Sequence, residues 1–252
     1  MKKLATIILA AGKGVRMKSD KPKVVFEFAG KPMIKRVVET AQKIESDIIT
    51  IVIGYKKEMI IDIIPKTEKI KFIEQKEQHG TGHAVMVTEN IFKDFDGDIF
   101  ILCGDVPLLR AETLQKMLTK HKEANAVCTV LTAIMEDALK YGRIIRKKNG
   151  NVLKIIEFKD ATENEKLIKE INSGIYCFDA KSLFSALKKV TNDNQQNEYY
   201  LTDTLEILNN DKKLVTSVLL DDMIEASGVN SKEQLNNLEK EYFKKPMNYK
   251  GD

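Results

Sequence analysis

Five short apolar runs, with helical patterns filling the gaps between them, set what this chain can fold into. They are "ATIILA" (5–10), "DIITIVIG" (47–54), "KIKFIEQ" (69–75), "DIFILCGD" (98–105) and "AVCTVLTAI" (126–134). Bounded, β-rich apolar runs of this kind read as buried strands. Within 33–45, Ile34, Val37, Val38, Ala41 and Ile44 recur at i, i+3, i+4 spacing, the apolar stripe of an amphipathic helix. Residues 82–93 and 111–124 follow the same pattern. Strands alternating with helices pair in parallel and need cover on both sides. The expected fold class is α/β: a Rossmann-like, mixed, mostly parallel sheet with helices on both faces.

The texture changes near residue 140. "YGRIIRKKNGNVLKIIEF" carries Asn149-Gly150 between two alternating runs, a strong hairpin signal. A polar stretch (159–169) leads to a strand "INSGIYCFD" (171–179), a helix over about 180–190 and a second helix in "EYYLTDTLEIL" (198–208). The strand "LVTSVLLDD" (214–222) precedes a last helix over 230–244, where Ser231 and Gln234 fit a capping box. The polar tail 245–252 is expected to fray. No hinge linker and no internal repeat interrupt 1–244, which therefore reads as a single domain, and no run of hexapeptides builds a β-helix.

Several function classes drop out. No stretch reaches the roughly 20 apolar residues of a membrane span. The opening "MKKLATIILAAGKG" is a first strand rather than a signal peptide, because glycine and charge break its apolar run at once. Net charge is +4 with acids and bases intermixed, which does not point to nucleic acid. Cys103, Cys128 and Cys177 lie far apart in apolar runs, as buried thiols in a reducing compartment do. His79 and His83 stand four apart, but no neighbouring cysteine or carboxylate pattern supports zinc.

The stretch "LAAGKGVRMKSDKPKV" (9–24) follows the first strand directly. A strand running into a glycine-rich turn offers backbone N–H groups to an anion. No window supplies the Walker A pattern. Gly12-x-Gly14 lacks the third glycine of the dinucleotide fingerprint, and the second strand ends "IGYKK" without the acidic residue that would hold a ribose. What remains is a phosphate loop with Arg16 and Lys23 on its far side, an arrangement suited to phosphoryl chemistry. The plainer alternative is a solvated basic loop. Asp105 ends the apolar strand "ILCGD", at the sheet edge where open α/β folds bind ligands. A carboxylate facing a polyphosphate loop is a natural Mg²⁺ ligand; a turn aspartate before Pro107 is the alternative.

Eight motifs then fall in order over nearly the whole chain: "LAAGKGVRM…KPKV", "EQHGTGHA", "GDVPLL", "YGRI", "EFKDAT", "INSGI", "EYYLTD" and "GVNSKEQL". Together they resemble the uridylyltransferase domain of the bacterial bifunctional N-acetylglucosamine-1-phosphate uridylyltransferase and glucosamine-1-phosphate acetyltransferase family, within the sugar nucleotidyltransferases. The first motif opens many members of that superfamily, whereas "HGTGHA" and "EYYLTD" are more particular. The resemblance implies a nucleotide-diphospho-sugar transferase fold. Residues to about 140 would be its nucleotide part, about 141–229 its sugar part with a β-hairpin lobe, and 230–244 its C-terminal helix. It implies that Leu9, Ala11, Gly12 and Gly14 line the UTP phosphates and that Gln75, Gly80 and Thr81 stand at uracil-reading positions. Lys23 would neutralise phosphate charge and Arg16 the leaving pyrophosphate. Asp105 and Asn230 would hold Mg²⁺, and Gly142, Glu157, Asn172 and Thr202 would form the sugar pocket. Plainer readings are a turn for Gly142, a bulge residue for Asn172 and a helix cap for Asn230.

The reaction so implied joins UTP and N-acetylglucosamine 1-phosphate into UDP-N-acetylglucosamine, a peptidoglycan precursor, with release of pyrophosphate. An anionic nucleophile needs no general base, so catalysis would be positioning and charge neutralisation. Rival readings are a relative using UTP or dTTP with glucose 1-phosphate, and a non-catalytic sugar-nucleotide sensor. Cys103 departs from the family pattern, where an aromatic residue often precedes Gly-Asp. The chain also stops before the family's acetyltransferase β-helix, which carries most trimer contacts. The expectation is a cytoplasmic monomer or weak dimer with no acetyl transfer, no nucleic-acid partner and no membrane partner.

Overall fold

Alternate side chains of β1 (Lys3–Leu9) enter opposite cores. Ala5 and Ile7 join one apolar cluster and Ile8 the other, as a two-residue period requires. In this computed structural model, which describes residues 2–138 and 140–245, β1 is flanked by two parallel partners. They are β4 (Ile48–Ile53), with Ile7 opposite Thr50, and β6 (Gly97–Cys103), with Ile7 opposite Ile101.

The remaining strands are β2 (Glu27–Phe28) and β3 (Lys31–Pro32), which form a separate ribbon, then β5 (Ile70–Glu74), β7 (Cys128–Ile134), β8 (Arg143–Arg146), β9 (Val152–Ile156), β10 (Glu170–Asp179) and β11 (Val215–Leu219). The main sheet runs β11-β7-β10-β6-β1-β4-β5, and β8 pairs with β10 and β9. Along that order only β10 is antiparallel to its neighbours.

The helices are α1 (Met33–Lys43), α2 (Glu58–Ile61), α3 (Thr81–Met86), α4 (Ala111–Glu123), α5 (Glu163–Lys166), α6 (Ala180–Leu187), α7 (Asp203–Asn210) and α8 (Lys232–Lys244). One face of the sheet is covered by α1, α2 and α4, whose Val37, Ile60 and Leu114 meet Ile8, Ile51 and Phe100. The other is covered by α3, α6 and α7, whose Val85, Leu183 and Leu205 meet Ile7, Ile101 and Phe178. A third cluster seats α8 through Leu235, Leu238 and Tyr242 on Met17, Phe28 and Met33. The mixed, mostly parallel sheet with helices on both faces is as expected. No helix among the described residues is long and apolar enough to cross a membrane.

Local departures have local causes. The helix expected over 82–93 stops at Met86 and resumes as a 3-10 turn, Glu89–Ile91. Between them Thr88 Oγ1 donates to the Val85 carbonyl at 2.7 Å, competing with the backbone ladder. The polar stretch 159–169 contains α5, started by a full capping box in which Thr162 and Glu165 bond each other's backbone. At α8, Ser231 Oγ accepts from Gln234 N, but Gln234 Oε1 accepts from Asn230 N at 2.8 Å, one residue before the expected box partner. Asn149-Gly150 does lie in a hairpin, within a longer loop closed by Lys147 N to Asn151 O at 2.8 Å. From residue 246 on, the expected tail lies outside the described residues.

One buried carboxylate fixes the approach to α8. Glu225, 1% exposed, accepts from Arg110 N at 3.2 Å, Arg110 Nε at 2.9 Å and Thr113 Oγ1 at 2.5 Å. It ties the 3-10 turn Met223–Ala226 to the start of α4. Glu225→Ala strips these donors of their acceptor and should cost about 3–5 kcal/mol, lowering the melting temperature by roughly 10 °C in calorimetry. Melting within a degree of the parent would show that the network does not hold this turn.

Candidate functional site

The parallel strands β1, β4, β5 and β6 end at one edge, and the chain leaves each of them carrying polar groups. After β1, the Leu9 carbonyl accepts from Gly104 N at 3.0 Å, which sets the backbone just before Asp105. The Ala11 carbonyl accepts from Tyr55 N at 3.2 Å and from Gln78 Nε2 at 2.8 Å. That approach requires Gly54, where a Cβ would lie 2.8 Å from the Ala11 oxygen. Gly12 is exposed, and a Cβ there would meet nothing within 4 Å, so its bareness leaves open room above the loop. Gly14 adopts φ +66°, and a Cβ there would lie 2.5 Å from Lys23 Cβ. Only glycine lets the loop and Lys23 approach this closely.

Lys23 Nζ donates to Asp105 Oδ2 in a short ion pair and to Asn230 Oδ1 at 2.7 Å. Residues from the loop after β1, the end of β6 and the approach to α8 thus meet at one ammonium group. Val229 N donates to the Asp105 carbonyl at 3.0 Å, which brings the last of these segments alongside. Asn230 does not cap α8, since Ser231 does, and its side-chain oxygen is turned to Lys23. A carboxylate and an amide oxygen gathered around a cationic group form a hard-oxygen donor set of the kind Mg²⁺ takes, completed by phosphate oxygens and water. Among the described residues no group of three or more His, Cys, Asp or Glu could hold a metal by itself.

At the end of β5, Gln75 is buried. Its Nε2 donates to the Gly80 carbonyl at 3.1 Å and lies 3.1 Å from His83 Nδ1. Gly80 (φ +102°) and Gly82 bring α3 against residues 198–203: a Cβ on Gly80 would lie 2.7 Å from the Tyr199 oxygen, and one on Gly82 2.8 Å. Gly82 N donates to Tyr199 O at 2.7 Å, Tyr199 N to His79 O at 2.8 Å and Leu201 N to Thr81 Oγ1 at 3.2 Å. This docking explains why α7 starts at Asp203 rather than at 198.

The same segment reaches the other side of the site. Thr202 Oγ1 donates to Glu157 Oε1 at 3.2 Å. Burial raises the Glu157 carboxyl above its ordinary value, partly opposed by this Thr202 hydrogen bond. Glu157 Oε2 passes 3.5 Å from where a Gly142 Cβ would stand. Gly142 O accepts from Asn172 N at 3.0 Å. Asn172 lies at the register shift in β10, its Oδ1 accepting from Gly174 N at 2.9 Å and its Nδ2 donating to Tyr176 OH at 2.7 Å, so the bulge reading of this residue holds geometrically. Gly174 then meets β6, its carbonyl taking the Cys103 thiol at 3.4 Å. Burial first, and then Asp105, push that thiol up to about 12, so it stays protonated and is no nucleophile.

The structure therefore brings Lys23, Asp105 and Asn230 together, and likewise Gly142, Glu157, Asn172 and Thr202, with Gln75, Gly80 and Thr81 joined to the latter through residues 199–202. Arg16 is not brought into contact with any of them. It is exposed on the 3-10 turn Val15–Met17 and makes no hydrogen bond or ion pair with the described residues. Sequence reasoning passed over Gly54, Gln78 and the Tyr199 carbonyl. Gln78 and Gly82 belong to the motif "EQHGTGHA", but only their contacts with distant backbone reveal what they do.

The family model for nucleotidyl transferases matches residues 5–225. The chain is 48% identical over 240 residues to the bifunctional protein GlmU of Caldanaerobacter subterraneus subsp. tengcongensis, covering 95% of this chain and 52% of that protein. It is 47% identical to the protein of the same name from Caldicellulosiruptor saccharolyticus, covering 93% of this chain and 50% of that one. The chain thus spans about half the length of the curated relatives it matches. In fold it is similar to a UDP-glucose pyrophosphorylase crystallised with UDP-glucose, at TM-score 0.78 and 20% identity over 98% of this chain and 100% of that one.

Sequence alone suggests that Lys23 is a loop residue with few core contacts, whose loss would leave stability intact. Its side chain is instead only 18% exposed and paired to an Asp105 that is 15% exposed. Lys23→Ala leaves that carboxylate without its cation. We expect a loss of about 1–3 kcal/mol, read as several degrees of melting temperature, along with a fall in turnover of orders of magnitude. Unchanged melting would mean that the Lys23–Asp105 pair does not hold the resting site together.

Proposed function

The chain belongs to the nucleotidyl transferase family, and from that premise we propose that it transfers the uridylyl group of UTP to N-acetylglucosamine 1-phosphate. The observation that carries this reading is the meeting of Lys23, Asp105 and Asn230 beside the glycine loop, with Gly142, Glu157, Asn172 and Thr202 linked to one another and, through Gly174 and Cys103, to the end of β6. The names of the relatives and the order of the eight motifs support this member of the family over others.

In the proposed reaction an oxygen of the sugar phosphate attacks the α-phosphorus of UTP. The bond from that phosphorus to the oxygen bridging to the β-phosphate breaks, and pyrophosphate leaves. The attacking group is already anionic, so the chain needs neither a base nor a covalent nucleophile, in keeping with a Cys103 held protonated. The chain's work is to position charge. Lys23 exchanges its Asp105 and Asn230 partners for phosphate oxygens, and Arg16, exposed and without a partner among the described residues, is available to the departing pyrophosphate. Asp105 and Asn230 would hold Mg²⁺, which supplies positive charge to the phosphate oxygens. Gly12 leaves room for the polyphosphate, and Gln75, Gly80 and Thr81 face the base. Glu157, Thr202 and Asn172 fix hydroxyls and the acetamido group.

We place this activity in the cytoplasm, with UDP-N-acetylglucosamine serving cell-wall assembly. We propose that this chain is a monomer or weak dimer: among the described residues only five large apolar side chains are exposed, Val15, Ile134, Leu167, Leu219 and Phe243, too few for the apolar core of an obligate interface.

The test is pyrophosphate release from UTP and Mg²⁺ with a panel of sugar 1-phosphates. The N-acetyl sugar should exceed glucose 1-phosphate by about 100-fold or more in kcat/KM. Equal use of the two, or release with neither, would sink the reading. Asp105→Asn should shift the magnesium requirement upward, with part of the activity recovered at high magnesium. An unaltered magnesium profile would remove Asp105 from the metal site.

A further inference from the structure

The Gln75 amide is held in one orientation. Gly80 O can only accept, so the Gln75 atom 3.1 Å from it must be the nitrogen. The same nitrogen lies 3.1 Å from His83 Nδ1, so that ring atom must also be an acceptor. His83 is therefore neutral in this arrangement, with its proton on Nε2. Both amide hydrogens are thus committed, one to Gly80 and one to His83. The amide oxygen takes no hydrogen bond from the described residues. It is not among the sealed unpartnered atoms either, which are Thr50 Oγ1 and His121 Nε2, so it keeps contact with solvent.

We infer that His83 is a positioning residue for nucleobase selection. By accepting from the Gln75 amide nitrogen, it turns the Gln75 oxygen toward the base, so that the site accepts a ring N–H and rejects a ring-nitrogen lone pair. Uracil carries a hydrogen at N3 and fits. Cytosine presents a lone pair at N3, which would face the Gln75 oxygen and be repelled. This rests on the reading that Gln75 contacts the base, and it adds that the choice between UTP and CTP is set one residue further out.

The arrangement titrates. Protonation of His83 turns Nδ1 from acceptor into donor and sets two donors against each other. The amide then either loses this bond or rotates its oxygen to the ring, which would place that oxygen against the Gly80 carbonyl. The groups facing the ring are His79, with centroids 5.1 Å apart, Glu77 from the preceding loop and Tyr199 from the docked segment, 6.4 Å away. Glu198 packs beside Gly80 on the same segment. Burial, and then the His79 charge, lower the His83 ring below the usual 6.5. UTP affinity therefore holds at neutral pH and falls on the acid side, below the usual imidazole range.

The test is calorimetric binding of UTP and CTP between pH 5 and 8 to the full chain and three variants. His83→Phe keeps a planar ring but no acceptor, and should weaken UTP about five- to tenfold, the scale of one lost hydrogen bond, while narrowing the UTP-to-CTP ratio. His83→Asn can offer an oxygen in place of Nδ1 and cannot titrate. It should keep most of the UTP affinity and the UTP-to-CTP ratio, and lose the part of the acid-side fall that is due to His83. What remains in it belongs to the triphosphate, which titrates in the same range. Gln75→Ala separates the two levels of the argument. If it leaves UTP affinity unchanged, the reading of Gln75 as a base contact fails and this inference with it. If it weakens UTP while His83→Phe leaves the UTP-to-CTP ratio intact, the reading stands and the inference alone is overturned. A parent protein whose acid-side profile matches that of His83→Asn would also overturn it, without depending on the stability of His83→Phe.

Discussion

One ammonium group holds the site in register. Lys23 Nζ joins Asp105 and Asn230, which lie 82 and 207 residues further along the chain. Everything nearby is arranged so that it can. Gly14 gives up its side chain to let Lys23 pass, the Leu9 carbonyl fixes Gly104 next to Asp105, and Glu225 pins the turn that delivers Asn230. The pair is mostly shielded from water, so its charges are screened less than those of an exposed pair.

Residues 198–203 form the second organising element. Their backbone docks on Gly82 and Thr81 at the start of α3, and the Thr202 hydroxyl donates to Glu157 just after β9. The two glycines are there because the Tyr199 carbonyl takes the room that a side chain would need. This one short segment is therefore hydrogen-bonded both to the start of α3 and, through Thr202, to Glu157.

Much of this was legible in the sequence. The strand runs could be read because a central parallel strand must be apolar on both faces, and "ATIILA" and "DIFILC" are. Gly12, Gly14, Arg16, Lys23 and Asp105 stand out as glycines and charged groups at strand ends, whereas Gln75, Gly80, Thr81, Asn230 and the set Gly142, Glu157, Asn172 and Thr202 come only from the resemblance of the eight motifs. Other features could not be read because their causes are distant or finely balanced. The helix over 82–93 breaks where Thr88 bonds the Val85 carbonyl, a choice that propensity does not resolve. The burial of Lys23 depends on partners far away in sequence. Residues 198–202 have a helical composition, but 198–200 are docked on His79 and Gly82 and 201–202 form a turn, through contacts that no local pattern announces. Asn230, which resembles a cap, turns its side chain to Lys23 and leaves Ser231 to cap the helix.

The position of β10 bears on how the chain is made. It is the one antiparallel strand along the main order, and it lies between β6 and β7, which precede it in the chain. A growing polypeptide therefore completes both flanking strands before the strand that separates them exists. From the end of β7 at residue 134 to the end of β10 at residue 179 is 45 residues. At ordinary translation rates that is roughly two to nine seconds. During that interval β6 and β7 present raw edges, able to zip to each other or to a neighbouring nascent chain.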